Sequence, residues 1–380
     1  MWFFTDEHRL LQKSVRDFAT SVLAPKIEEL DEKEGFDRSY FKKMADLGLL
    51  GITVPESDGG TDMGCVAATI AMEEIGAIDA STALTYLAHS ILFINNLATN
   101  GSPEQKKKYL PKTISGEWIG GMGMTEPGSG SDALSMRTKA VKKGNKYILN
   151  GTKMFITNAV IGDIFYVYAR TGESKKDIST FIVESSFPGF RMGRKLKKMG
   201  MRASPTGELI FENCEVPAEN LVGKENDSIS HLFKNLDIER ITISGISLGI
   251  ARAALDVATK YAKEREQFGS PLGSFQMIQA MLADGMAEYE ASRSLVYQNA
   301  QEWDLKLLGN AGSQSAGAKA KLMAARMATK VALDSIQILG GYGYIKEFPV
   351  ERFMRDAKLM EIGAGTNEVM RLIIARELLA

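Results

Sequence analysis

The chain has 380 residues, enough for two or three domains sharing interfaces rather than one simple core. Its 46 lysines and arginines nearly balance 47 acidic residues, and the formal net charge of −1 gives no bulk electrostatic support for nucleic-acid binding. A hydrophobic content of 44% without a long uncharged apolar run points to a soluble protein with no membrane insertion.

Residues 5 to about 115 read as helices, with apolar residues at Leu10, Leu11, Val15 and Phe18 and again at Phe41, Met44, Leu47 and Leu50. The turn ESDGG (56–60) and the step GSP (101–103) separate them. Between roughly 120 and 225 come short runs rich in β-branched and aromatic residues: AVKKGNKYILNG (140–151), IFYVYAR (164–170), ISTFIVE (178–184) and ELIFENCEVP (208–217). Lys-Gly-Asn-Lys and Asn-Gly serve as hairpin or strand-end turns. Helical spacing then returns at 231–265, 274–304, 313–338, 349–358 and from Thr366 to Leu379. The pattern predicts an α+β chain in three parts: an N-terminal all-helical domain (1–119), a middle antiparallel β-domain (120–228) and a C-terminal helical bundle (229–380).

Cys65 and Cys214 stand apart from each other and from His8, His89 and His231, so no metal site can be built from their spacing, and a reducing compartment fits best. The opening MWFFTDEHRLLQKSVRDF lacks a signal-peptide cleavage pattern, and Asp6 and Glu7 come too early for an acid-poor transit sequence. It reads as the first amphipathic helix. The expected location is the cytoplasm, or the mitochondrial matrix if a transit peptide has been removed.

GSGSDA (128–133) has the form of a dinucleotide fingerprint, but strand-like sequence follows it and no acid lies between Ala133 and Gly162. That excludes a Rossmann reading. Its glycines still let backbone N–H groups approach an anion or ring, with Thr125 and Ser131 supplying hydroxyls. Arg265 in REQFG (265–269) suits a pyrophosphate, because its planar fork is permanently charged, or equally serves as a helix C-terminal charge. Glu239 in LDIER (236–240) reads on its own as a helix carboxylate beside Arg240.

Taken together, MTEPGSGSDA (124–133), MFITNA (154–159), LDIER, REQFG, QILGGYG (337–343) and EIGAGTNEVMR (361–371) resemble the acyl-CoA dehydrogenase family over essentially the whole chain. The residue before the Gly-Thr step of the last segment is usually a glutamate that removes the substrate's α-proton, and here it is Ala364. The isovaleryl-CoA branch places its base before an arginine on another helix, where this chain has Glu239 and Arg240. The resemblance therefore implies a relocated base, Glu239, with a pKa lifted by burial toward about 6–7. Glu361 and Glu368 match no base position.

The resemblance further implies FAD, lined by the stretch from Met122 to Ser131 (Met122, Met124, Thr125, Gly130, Ser131) and by Phe155, Ile156 and Thr157. Phe155 replaces the usual indole and keeps an aromatic face without an N–H donor. Arg265, Gln276, Gln337, Gly340 and Gly341 are implied at the adenine-diphosphate half across a subunit interface, and Thr366, Asn367 and Glu368 at the start of the last helix. Ser131, Asp237, Arg240, Gly365 and Arg376 are implied to meet the CoA thioester. Gly363 and Ala364 leave room beside the reacting carbons, which suggests a branched, cyclic or bulky acyl group, or they simply shape a helix start. Relatives that oxidise glutaryl-CoA carry an arginine near 80–90, and STALTYLAHS (81–90) has none, which disfavours a dicarboxyl substrate. The expected assembly is a homotetramer that passes electrons to an electron-transferring flavoprotein. The rival readings are an acyl-CoA oxidase or other flavin oxidase on the same fold, and a non-catalytic flavin- or CoA-binding subunit.

Overall fold

The computed structural model describes residues 1, 3–308 and 313–380. Among the described residues seven α-helices come first. Thr5 starts α1 (Asp6–Phe18) by accepting from the His8 amide while the His8 ring accepts from the Thr5 amide, so two amides left free at the helix start are satisfied. Leu11, Val15 and Phe18 are buried as their spacing predicts, whereas Leu10 is 66% exposed and faces solvent. The short helices α2 (Ile27–Lys33) and α3 (Ser39–Asp46) follow; α3 buries Phe41 and Met44, and Leu47 caps it on the solvent side. Helices α4 (Gly64–Ile78), α5 (Ala80–His89), α6 (Asn96–Asn100) and α7 (Pro103–Ile114) complete this half, with a π-type stretch between α5 and α6. The GSP step works as a start signal: Ser102 caps α7 reciprocally with Gln105, and Pro103 takes the first helical position, where no N–H is needed.

The sheet holds eight strands: β1 (Gly120–Gly123), β2 (Lys139–Lys143), β3 (Lys146–Thr157), β4 (Ile164–Arg170), β5 (Ile178–Glu184), β6 (Phe190–Lys195), β7 (Thr206–Pro217) and β8 (Leu221–Val222). Their order is β6-β7-β3-β2-β4-β5-β8, with β1 alongside β4. The sheet is not purely antiparallel as expected, because β1 runs parallel to β4 and β2 touches β4 in parallel at Lys139 and Arg170. Gly144 and Asn145 make the β2–β3 hairpin turn, but Asn150-Gly151 makes no turn; it sits at a bulge that lets β3 continue along β7.

After the sheet come α8 (Ser228–Glu264), a two-stranded ribbon of β9 (Glu266–Gln267) and β10 (Ser270–Pro271), then α9 (Gln276–Asp304), α10 (Ser313–Leu339), α11 (Val350–Met360) and α12 (Asn367–Leu379). Helix α8 has a stretch long and apolar enough to cross a membrane, yet 78% of that stretch is buried among the protein's own elements, so core packing accounts for it.

Alternation in the strands divides the interior in two. Ile164, Tyr166 and Tyr168 of β4 face a core shared by both helical halves, while Phe165, Val167 and Ala169 face a smaller core on the other side of the sheet. Both helical halves are also tied by a fully buried acid pair on α4. Glu73 accepts from Tyr289, Arg293 and Tyr297 of α9, and Glu74 from Arg16 of α1 and Arg252 of α8. The β4 face turned toward α8 is where the candidate base lies.

Candidate active site

Glu239 sits on α8 and is only 6% exposed. Among the described residues nothing donates a hydrogen bond to its carboxylate, and Oε2 is buried without a partner. Burial pushes the carboxyl up to about 7, against the pull of Arg240 and Lys321. One helical turn earlier, the Asn235 amide donates to the Tyr168 hydroxyl over 3.2 Å, and Tyr168 lies close enough to feel the charge of Glu239. Asp237 and Arg240 are both buried and meet over 3.2 Å, so the pair implied for CoA first neutralises itself. A carboxylate that is dry, unpaired and titrating near neutrality has the properties of a general base.

The segment 361–367 forms a tight turn between α11 and α12. The Gly363 amide donates to Leu359 O and the Asn367 amide to Glu361 O, closing the turn at both ends. Between them Ala364 has φ +55° and Gly365 φ +92°. The Ala364 amide has no acceptor among the described residues. A Cβ built on Gly363 would meet nothing closer than Leu359 O at 3.5 Å, so there is side-chain room beside it. Thr366 is the cap of α12, its hydroxyl accepting from the Val369 amide; Asn367 is buried and Glu368 exposed.

Sequence reasoning missed Lys321 on α10. Its ammonium donates to Gly365 O over 2.7 Å and approaches Asn367 Oδ1 at 3.4 Å, though it is 2% exposed. Burial and Arg240 push it down to about 8.

The two expected flavin motifs are joined directly. The Met154 amide of β3 donates to Thr125 O over 2.8 Å, and Lys153 reaches Met124 O at 3.0 Å and Glu126 Oε1 at 2.8 Å. Glu126 also accepts from the Arg137 and Thr138 amides. Burial opposes its ionised form, but Lys153 and these amides outweigh it and hold the carboxyl below its usual value. Glu126 lies inside the MTEPGSGSDA motif without a signal of its own, and Lys153, one residue before MFITNA, carries no sequence signal. Met122, Met124, Thr125 and Thr157 are half-buried, Ile156 buried, and Gly130 and Ser131 exposed. A Cβ at Gly128 or Gly130 would meet nothing within 4 Å, so the chain's own packing does not demand these glycines. Phe155, at φ +59° on a β3 bulge, is turned out with 65% exposure.

A separate open cleft of about 440 Å³ gathers Tyr261, Arg265, Gln267, Gly340, Gly341 and Tyr342. The Arg265 guanidinium lies over the Tyr342 ring, 5.5 Å from its centroid. Gly340 and Gly341 again have no neighbour that a Cβ would touch. Gln276, Gln337 and Arg376 are exposed and do not line this cleft.

The site thus brings together a buried carboxylate on one helix, a turn amide without an acceptor among the described residues and a glycine-rich loop at a strand end. Sequence models for the acyl-CoA dehydrogenase N-terminal, middle and C-terminal domains match residues 5–117, 121–214 and 229–379. The chain belongs to the acyl-CoA dehydrogenase family of oxidoreductases. It is 46% identical over 378 residues to the mitochondrial isovaleryl-CoA dehydrogenase of Pongo abelii, covering 98% of this chain and 88% of that protein. Among solved structures, butyryl-CoA dehydrogenase of Megasphaera elsdenii is similar at a TM-score of 0.95, 38% identity and 99% coverage of each chain. A structure described as the electron transferring flavoprotein of Acidaminococcus fermentans is similar at a TM-score of 0.96 and 42% identity, with 100% of this chain and 99% of that one covered.

Proposed function

We propose that this protein oxidises an acyl-CoA thioester between its α and β carbons, with Glu239 as the base and a branched or bulky acyl group as substrate. The observation that carries the reading is Glu239 itself: a buried, unpaired carboxylate lifted to about 7, in a chain whose usual base position is Ala364. Near neutral pH such a group is ionised often enough to accept a proton and basic enough to hold it. The free Ala364 amide donates to the thioester oxygen, where charge grows as the α-proton leaves; one such donor is worth roughly 10²–10³ in rate.

The residues present fit FAD, which when bound would supply the acceptor for the β-hydrogen as hydride. The open glycines of 128–130, held by the Glu126–Lys153 clamp, leave space for it, and the Arg265 cleft suits its diphosphate. Ser131, Arg376 and the Asp237–Arg240 pair are assigned to the CoA arm. The room beside Gly363 and the methyl of Ala364 favour a branched chain, in keeping with the isovaleryl-CoA relatives. Electrons leave to an electron-transferring flavoprotein. Met277, Leu333, Leu372 and Leu378 expose apolar surface on α9, α10 and α12 that a homotetramer would cover.

The test is Glu239→Gln. Flavin content should be unchanged, while anaerobic bleaching by isovaleryl-CoA slows at least about 10³-fold. Bleaching at the wild-type rate would remove Glu239 as base.

A further inference from the structure

We infer that Lys321 is a positioning residue whose ammonium holds the Ala364–Gly365 turn against α8, so that the Ala364 amide and the Glu239 carboxylate face one substrate. The inference rests on Glu239 being the base.

The first support is helix packing. A Cβ on Gly317 of α10 would lie 3.1 Å from Asp237 O and 3.2 Å from Arg240 Cβ, so the glycine lets α10 press closely, without crowding, onto the turn of α8 that carries Glu239. Lys321 follows one helical turn later on the same face. It is thereby placed between α8 and the 361–367 turn.

The second support is the turn itself. A left-handed alanine costs roughly 1 kcal/mol, and such a conformation persists only where its surroundings enforce it. The two backbone bonds that close the turn leave the Ala364 and Gly365 amides free. Lys321 is the sole donor to Gly365 O among the described residues, and its 2.7 Å bond fixes the middle of the turn. That carbonyl belongs to the Gly365–Thr366 peptide, separated from the Gly363–Ala364 peptide that carries the donor N–H by a single peptide unit, so holding it restrains the left-handed Ala364–Gly365 corner that aims the donor.

The third support is charge. Lys321 is faced by Glu239 and Arg240 from α8, by Glu361 at the end of α11 and by Glu368 on α12. A cation here favours the ionised form of Glu239, partly offsetting the effect of burial. Removing it must raise the pH at which Glu239 becomes available. A lysine that acted through its hydrogen bonds alone would not do this.

The experiment is stopped-flow bleaching of FAD-loaded enzyme by isovaleryl-CoA from pH 6 to 9, in Lys321→Met and Lys321→Gln. The Met variant loses both hydrogen bond and charge. Its plateau rate should fall on the order of 10²-fold, because misplacing a reacting group costs about that much. Its pH midpoint should rise, with a smaller change in the concentration of substrate giving half-maximal rate. The Gln variant keeps a donor but no charge, so it should recover part of the plateau and keep the raised midpoint. Wild-type plateau and midpoint in the Met variant would overturn the inference, as would a loss confined to substrate affinity. If the Met variant does not retain FAD, the midpoint in the Gln variant decides alone: raised supports the role, unchanged overturns it. Glu239→Gln separates the two readings, since bleaching there at the wild-type rate defeats the base assignment whatever Lys321 does.

Discussion

Among the described residues two buried glutamate–lysine arrangements stand out, and their carboxyls shift in opposite directions. Glu126 is gripped by Lys153 at 2.8 Å and by two backbone amides, and its carboxyl stays below the usual range in spite of burial. Glu239 has a lysine nearby as well, but Lys321 spends its hydrogen bonds on Gly365 O and Asn367, and the carboxyl rises to about 7. Both lysines are pushed down to about 8 by burial. Burial alone therefore does not make a base. What separates the two carboxyls is whether donors reach their oxygens.

That contrast can be broken most severely at the clamp. Lys153→Met strands Glu126 as a buried charge, and loss of one partner from such a pair costs about 3–5 kcal/mol. Denaturant unfolding should register that loss together with a fall in bound FAD, whereas unchanged stability would mean that the pair is not a clamp.

Substitution on the other side should act with the opposite sign. Glu239 has a folded pKa near 7 against an ordinary 4.5, so the folded state disfavours its ionised form. Its cost to stability is absent below about pH 4.5, grows as pH rises toward 7, and is complete above that. Glu239→Gln should therefore be more stable than wild type at pH 8, by up to about 3 kcal/mol, and nearly equal to it at pH 4.5. Paired melts at the two pH values check this, and a variant less stable at pH 8 would contradict a strained base.

Gly363→Tyr sharpens the contrast with the smallest change, because it fills the space beside Ala364 and leaves the clamp alone. FAD content should stay constant while the ratio of isovaleryl- to butyryl-CoA bleaching rates falls by about 10-fold or more, equivalent to roughly 1–3 kcal/mol of discrimination. An unchanged ratio would show that this space does not hold the branch.

Much of this was legible in the sequence, for identifiable reasons. The proposed Ala364–Glu239 exchange could be read because both positions lie in short segments, EIGAGTNEVMR and LDIER, that carry the resemblance to the family. IFYVYAR and ISTFIVE read as strands because β-branched and aromatic residues fill both faces of a doubly covered sheet. Strand β1 is GGMG and carries no such signal; its pairing with β4 comes from the chain around it. Leu10 fits the helical period yet points to solvent, since period alone does not say where the stripe ends.

The lysines were the larger omission. Lys319 is half-exposed and ion-paired with Glu377, while Lys321, two residues on, is buried. Only its place on the glycine- and alanine-rich face with Gly317, Ala324, Ala325 and Ala328 hints that it points inward. Lys153 looks like an ordinary strand lysine until Glu126, 27 residues away in sequence, is brought to it.

The central claim is that a carboxylate on α8 does the work usually assigned to position 364. Its most direct test is the pH dependence of α-proton exchange between solvent and isovaleryl-CoA, measured anaerobically in wild type and Glu239→Gln. The account predicts a wild-type rate rising to a plateau with a midpoint near 7, and exchange in the variant at least about 10³-fold slower across the range. Exchange of similar rate and midpoint in both proteins would contradict it.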